Sequence, residues 1–386
     1  MRVSISVGGR FHAFDLALQL LKRGLLSQLI TSYPKFYIKR YGIPHKLVRS
    51  VIGKEIMKRG WDRMPAPIRS LWNPDFLINT YFDWRAAKQL SSCDIFVGWA
   101  NQSSRALQKA KSFGAVTVLE RGSSHIAYQN GLLKAEYERW GVRVPQNLLP
   151  HPRIIEEELR EYEAADYISI PSHFVKRTFL EKGFPESKLI HVPYGVDLSK
   201  FRQIPKTDST FRVVFAGGMS LRKGVHYLLQ AFSELKLPNS ELLLVGGISD
   251  EIKPFFKKYE GSYRYIGRVP QNELYKYYSQ GSVFAMMSIE EGLALVQPQA
   301  MACGLPVIAT TNTGAEDIVR DGKDGFIIPI RNVDALKERL IYFYKNLDVL
   351  KTMGSSAKER VASGFTWEDY GNRIVEKYEE CLRKKT

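Results

Sequence analysis

The chain has 386 residues, 44% of them hydrophobic and 25% charged, which is enough for two domains of about 150 to 200 residues each. No run of about 20 apolar residues predicts a spanning helix, MRVSISVGG reads as strand and turn rather than signal peptide, and Cys93, Cys303 and Cys381 offer neither a disulfide framework nor metal-ligand spacing. The net charge is +16, and its excess sits in residues 1–200, with 30 Lys+Arg against 18 Asp+Glu; a solvated basic surface, an anionic substrate, a membrane surface and a nucleic acid all fit.

Val3 to Val7 alternates with polar residues and predicts a first strand that ends at Gly8-Gly9. A helix through Phe14, Leu16, Leu20 and Leu21 and a strand over Leu25 to Ser32 follow. Without a full G-x-G-x-x-G, Gly8 and Gly9 serve either as a tight turn or as a close approach to a ligand. Residues 35–72 interleave aromatic side chains with ten Lys and Arg against two acids, Glu55 and Asp62. Leu47, Val48, Val51, Ile52 and Ile56 recur at helical spacing, so Lys46 to Arg59 reads as an amphipathic helix with a basic face. It either packs on its own domain or lies on an anionic membrane surface; no nucleic-acid motif accompanies the charge. CDIFVGW (Cys93 to Trp99) and AVTVLE (Ala115 to Glu120) are further strands, and the second runs into Arg121-Gly122-Ser123-Ser124-His125, a polar break of the kind that carries chemistry.

The second half opens on a strand at Arg212 to Phe215, then Ala216-Gly217-Gly218-Met219-Ser220-Leu221-Arg222-Lys223-Gly224 and a helix. Small residues admit a ligand to the backbone, and Arg222 and Lys223 suit a diphosphate. A later strand ends at Gly267-Arg268-Val269. The segment with the most information is SIEEGLALVQPQAMACGLPVIAT, Ser288 to Thr310, read as loop, helix and strand of a parallel sheet. Glu291 precedes the helix and Gln299 lies eight positions on, a little over two turns, so the two can face one side. A helix start here offers backbone N–H groups to a phosphate.

Glu291-Gly292-Leu293-Ala294 followed by Ala300-Met301-Ala302-Cys303-Gly304-Leu305-Pro306-Val307 resembles the glutamate motif of family 4 retaining glycosyltransferases, which have the GT-B fold. Ile190 to Asp197, Lys223-Gly224 and Gly314-Ala315-Glu316 resemble further parts of that family's pattern. Two positions depart from it: Gln299 replaces the second glutamate, and Gly218 stands where the family has arginine. The resemblance implies two Rossmann-like α/β domains facing a cleft. These are an acceptor-side domain over 1–200, a nucleotide-sugar domain over 201–365, and a last helix over 366–386 that returns to the first domain. It implies catalytic roles for His125, Lys223 and Glu291. Donor contacts are implied for Gly217, Gly218, Arg222, Lys223, Arg268, Val269, Glu291, Gly292, Leu293, Ala294, Leu295 and Gln299, and cleft positions for Gly8, Gly9 and His125. The expected reaction is transfer of a sugar, with retention, from a UDP- or GDP-sugar to a glycan or lipid-linked acceptor. No cofactor and no metal are expected, since no Asp-x-Asp pair exists. A cytoplasmic protein, peripheral at the inner membrane face through residues 35–72, is the expected setting. Two alternatives stay open: an epimerase or hydrolase of nucleotide sugars on the same fold, and a non-catalytic basic membrane-binding relative.

Overall fold

The computed structural model describes every residue except 66–67, 70–71, 143–148 and 386. Two parallel sheets organise the chain. The first contains β1 (Val3–Val7), β2 (Leu26–Thr31), β3 (Val48–Ser50), β4 (Ile95–Trp99), β5 (Val116–Glu120), β6 (Tyr167–Ile170) and β7 (Leu189–His191), in the order β3-β2-β1-β4-β5-β6-β7. The second contains β8 (Phe211–Ala216), β9 (Ser240–Val245), β10 (Arg264–Gly267), β11 (Val283–Met286), β12 (Val307–Thr310) and β13 (Gly325–Ile328), in the order β10-β9-β8-β11-β12-β13. Strands such as VSISV, IFVGW and FRVVFA are buried along their whole length, as parallel strands covered on both faces must be.

Strand order reverses between β1 and β4 in the first sheet and between β8 and β11 in the second. Open parallel sheets bind ligands beyond the carboxyl ends of their strands at such reversals. The loops that follow these four strands are therefore the ones to inspect: residues 8–12, 100–103, 217–224 and 287–295.

The two domains are joined twice. After β7 the chain passes through Gly195, where a Cβ would come within 2.5 Å of the Trp367 backbone nitrogen, so only glycine lets the two crossings touch. The Val196 N–H donates to the Phe365 carbonyl. Helix Trp367–Lys385 then returns to the first domain. There Arg23 donates to the Glu368 carbonyl, and Lys385 donates to the carbonyls of Gly114 and Ala115.

The expected helix over Lys46 to Arg59 is corrected. Val48–Ser50 is strand β3, paired in parallel with β2 at the sheet edge, and the helix runs from Ile52 to Asp62. Val48 and Val51 are buried, and open strand pairing outcompetes the helical period for these β-branched residues. Its polar face is also not uniformly solvated, since Lys54 is buried. Ile52, Ile56 and Met57 are exposed instead, as are Met64, Ile68 and Trp72 beyond the helix. Parts of the 35–72 surface, at 66–67 and 70–71, lie outside the described residues. Among the described residues no helix is long and apolar enough to cross a membrane, and all three cysteines are free and buried.

Candidate functional site

The loops after β8, β9 and β10 enclose a cavity of about 440 Å³ lined by Gly217, Gly218, Gly246, Gly247, Arg268 and Val269, among others. Glycine is required at Gly246 by contact. A Cβ on Gly246 would lie 1.8 Å from the Gly217 carbonyl oxygen, and one on Gly247 would meet the Arg268 guanidinium at 2.5 Å. Arg268 thus lies over the Gly247 backbone and forms one wall. A larger cavity, about 970 Å³, opens between residues 203–211 and helix Leu347–Ala362. It sits at the amino-terminal edge of the second sheet, the wrong end of the strands for the chemistry.

Where the β8 and β11 loops meet, Lys223 and Glu291 form an ion pair, with Arg222 Nε 3.9 Å from the same carboxylate. Gly224 makes this contact possible. Its φ is +63°, and a Cβ there would sit 1.8 Å from the Met287 carbonyl oxygen. Helix Val296–Ala302 starts immediately after, with Leu295 at its amino end and Gln299 buried. The Ala294 N–H donates to the Thr313 carbonyl at 3.3 Å, which corrects the expectation that it is held ready for a phosphate.

The residue before Glu291 was not singled out from the sequence, yet it closes the two domains. Glu290 is wholly buried. It accepts from the Ser124 N–H (2.9 Å), the Ser124 hydroxyl (2.8 Å) and the Gln129 amide (2.8 Å) of the first domain. Arg222 Nη2 lies 2.9 Å from Oε2, the oxygen that also accepts from Gln129. Burial alone raises a carboxyl pKa, but the Arg222 charge and these hydrogen bonds outweigh it and hold Glu290 below its ordinary value. Arg222 is committed to this carboxylate and not merely solvated. Gly292 makes a direct backbone approach, since a Cβ there would lie 2.0 Å from the Gly122 carbonyl oxygen.

A second carboxylate crosses the other way. Glu136, on helix Ile126–Arg139, accepts from Tyr227 at 2.7 Å and pairs with Arg331 at 2.6 Å. Burial opposes its ionisation, but the hydrogen bonds from His226, Tyr227 and Arg331 and the Arg331 charge bring its pKa down to about 2.

On the first-domain side, the β1 loop faces its partner domain: Arg10 donates to Gln271 at 3.0 Å. The Gly8 carbonyl accepts from the buried Lys54 amine, which also bonds Gln102 at 2.8 Å. Burial lowers the Lys54 pKa to about 8. Gly9 packs under the ring of Phe11. His12, unnoticed in the sequence, lies 3.2 Å from Glu120 at the end of β5, and both are buried.

His125 does not face the cleft, which corrects its assignment. It caps helix Ile126–Arg139, with Nδ1 accepting from the Ala127 N–H, and its ring packs among Tyr162, Phe179 and Phe184. The polar break ends at the expected place, but capping the helix turns the imidazole inward. Burial, assisted by Arg121 and Lys182, lowers its pKa to about 4. Of the expected residues, then, Gly217, Gly218, Arg268 and Val269 share a cavity, Lys223 and Glu291 pair near Arg222, and His125 stands apart.

Residues 197–360 match the family model described as glycosyl transferases group 1. A GDP-mannose-dependent alpha-(1-6)-phosphatidylinositol monomannoside mannosyltransferase from Mycolicibacterium smegmatis is 27% identical over 240 residues, 55% of this chain and 62% of that one. Its monoacylated-acceptor counterpart in Corynebacterium glutamicum is 25% identical over 273 residues, 64% and 71% of the two chains. The matched region thus spans less than two thirds of the length of the first of these relatives. Among solved structures, a sucrose-phosphate synthase from Thermosynechococcus elongatus superposes over 100% of both chains with a TM-score of 0.75 at 18% identity. Anabaena HepE in complex with UDP and glucose does so over 98% of this chain and 100% of its own, with a TM-score of 0.67 at 15% identity. The strand order, the glycine contacts and the family match agree: residues 197–360, in the second domain, match glycosyl transferases group 1, and the chain has the two-domain GT-B fold.

Proposed function

We propose that the protein is a family 4 glycosyltransferase that moves a sugar, with retention and without a metal, from a UDP- or GDP-sugar to a glycan or lipid-linked acceptor. The observation that carries this reading is the Lys223–Glu291 pair, where the β8 and β11 loops meet, in the domain that holds the glycine-lined cavity. The base and ribose take the cavity, with Gln299 offering an amide to the ribose. The diphosphate reaches Lys223 and competes with Glu291 for its amine. Lys223, Arg222 and the β11-loop N–H groups around Leu293 then face the charge that develops as the diphosphate leaves, without reorganising. Glu291, released from Lys223, accepts hydroxyls of the transferred sugar. The mannosyltransferase relatives favour GDP as the base carrier, and the HepE complex favours UDP.

The acceptor of those relatives is a phosphatidylinositol mannoside by name, which favours a lipid-linked acceptor reached at the inner membrane face. Exposed Ile52, Ile56, Met57, Met64, Ile68 and Trp72 beside exposed Arg59, Arg63 and Arg69 have the composition of an interfacial surface for anionic lipid.

The test is thermal unfolding with a panel of UDP-, GDP- and ADP-sugars. A ligand at 100 times its dissociation constant adds about 2.7 kcal/mol, an easily measured shift. One base is expected to stabilise the wild type and to lose that effect in Lys223→Ala. Full turnover of the donor in the absence of any acceptor would overturn the transferase reading in favour of hydrolysis or epimerisation. Sedimentation with anionic liposomes, reduced by salt and by Ile56→Glu, is expected if the surface reading holds. Equal recovery in the supernatant with neutral and anionic liposomes would refute it.

A further inference from the structure

Outside the glycine cavity, three ligand-type side chains meet across the domains. His173 opens helix His173–Leu180, His191 ends β7, and Asp317 lies on the short helix Ala315–Ile318 of the second domain. His173 Nδ1 is 2.8 Å and His191 Nε2 is 2.7 Å from the same oxygen, Asp317 Oδ1. All three ligand atoms lie within 4.8 Å of one another. The Asp317 side chain is 1% exposed, and its other oxygen is fixed by the His173 N–H at 2.9 Å.

His191 Nε2 is the informative atom. It is buried, and despite its 2.7 Å separation from Oδ1 it makes no hydrogen bond of acceptable geometry. A nitrogen lone pair and a carboxylate oxygen at that distance repel unless a positive centre lies between them. One divalent ion satisfies both imidazoles and the carboxylate at once.

We propose that His173 Nδ1, His191 Nε2 and Asp317 Oδ1 form a site for a divalent transition-metal ion of the zinc class that ties the first domain to the second. Two imidazoles and a carboxylate are a donor set for zinc and its neighbours rather than for magnesium or calcium. Tetrahedral bonds of about 2.0 to 2.1 Å place ligand atoms about 3.3 Å apart. The two nitrogen–oxygen distances therefore need to open by about half an ångström. The His173 N–H supplies the supporting hydrogen bond that holds a coordinating carboxylate in orientation. His173 is half-exposed, which leaves an approach from solvent. Arg177, whose charge is felt by Asp317, is offset by its pair with Glu316 at 2.8 Å. No member of this set lines the glycine cavity or touches Lys223, so the proposal does not depend on the transferase reading.

The full chain, stripped with chelator, is titrated with Zn²⁺ by calorimetry and with Co²⁺ by visible absorption. One equivalent of Zn²⁺ and the d–d bands of four-coordinate cobalt are expected. His173→Ala, His191→Ala and Asp317→Asn each weaken Zn²⁺ by more than the ~10-fold that loss of even a supporting partner costs. Lys223→Ala binds Zn²⁺ as the wild type does. Thermal unfolding of the metal-free variants checks that they are folded, and Asp317→Asn keeps the side-chain shape. Absence of cobalt bands in the wild type overturns the proposal. Equal Zn²⁺ binding by the His173→Ala/His191→Ala double variant also overturns it, since the ion then binds elsewhere.

Discussion

Two buried carboxylates cross the domain interface in opposite directions. Glu290 leaves the second domain and is received by Ser124 and Gln129, while Glu136 leaves the first and is received by Tyr227 and Arg331. Both ties run through helix Ile126–Arg139, and both are charge-assisted and buried. They differ in what stands next to them. Glu290 shares Arg222 with Glu291, which in turn holds Lys223. Among the described residues Glu136 has no such neighbour. The same chemistry therefore couples closure to the proposed donor site at one tie and serves cohesion alone at the other.

The strongest way to sharpen this contrast is to remove the cation without touching either tie. Lys223→Ala is expected to lower kcat by about 10²- to 10³-fold, as loss of a fixed donor to developing charge does elsewhere. Unfolding temperature should fall only a little, because Arg222 Nε stays 3.9 Å from the largely buried Glu291 carboxylate when the lysine is removed. A loss under tenfold would remove Lys223 from the chemistry.

Glu290→Gln and Glu136→Gln test the ties directly. Each neutralises a fully buried carboxylate beside an arginine, and each is expected to cost about 2 to 3 kcal/mol of stability. Only Glu290→Gln should also raise the donor KM, since it frees Arg222 to compete for Glu291. If both variants raise KM equally, the two ties are one cooperative closure and the contrast fails.

How much of this was legible in the sequence follows from how local each feature is. The second domain was, because its loop–helix motif is local in the sequence and most of its strands are continuous apolar runs. The choice between Glu290 and Glu291 was not: adjacent residues in a loop point in different directions, and only the position of Ser124 on another domain decides which one is buried. His125 failed for a related reason. Its place at the end of a strand loop was readable, but the imidazole serves as a helix cap and enters an aromatic cluster whose members, Tyr162 and Phe179, come from far along the chain. At Val48 to Ser50 the helical period was real, and pairing with β2 overrode it.

Acidification separates these groups by pH window. His125 has a folded pKa of about 4 against an ordinary 6.5, so folding excludes a proton that the unfolded chain binds. Its stability contribution is complete above about pH 6.5 and is lost as pH falls towards 4, roughly 3 kcal/mol in all. Glu136, at about 2 against an ordinary 4.5, loses its contribution only below that, as pH falls from 4.5 towards 2. His125→Asn keeps a side-chain oxygen for the Ala127 N–H, so it is expected to flatten the stability change between pH 7 and 4.5. Glu136→Gln should leave that limb intact and alter the lower one. An unchanged upper limb in His125→Asn would mean that the acid sensitivity lies in another group.

The smallest expected effect concerns Gln299, the departure from the family motif. An amide both donates to and accepts from a ribose diol, whereas a carboxylate accepts more strongly, roughly twice as strongly per bond. Gln299 is buried, so a charge placed there must recover its desolvation from the ribose alone. The two terms oppose each other. Gln299→Glu is therefore expected to tighten nucleotide binding by no more than about tenfold, near 1.4 kcal/mol, and to destabilise the ligand-free protein. Calorimetry with the preferred nucleoside diphosphate and thermal unfolding without it measure the two halves separately. Lower stability with unchanged or weaker nucleotide affinity would show that residue 299 does not touch the ribose.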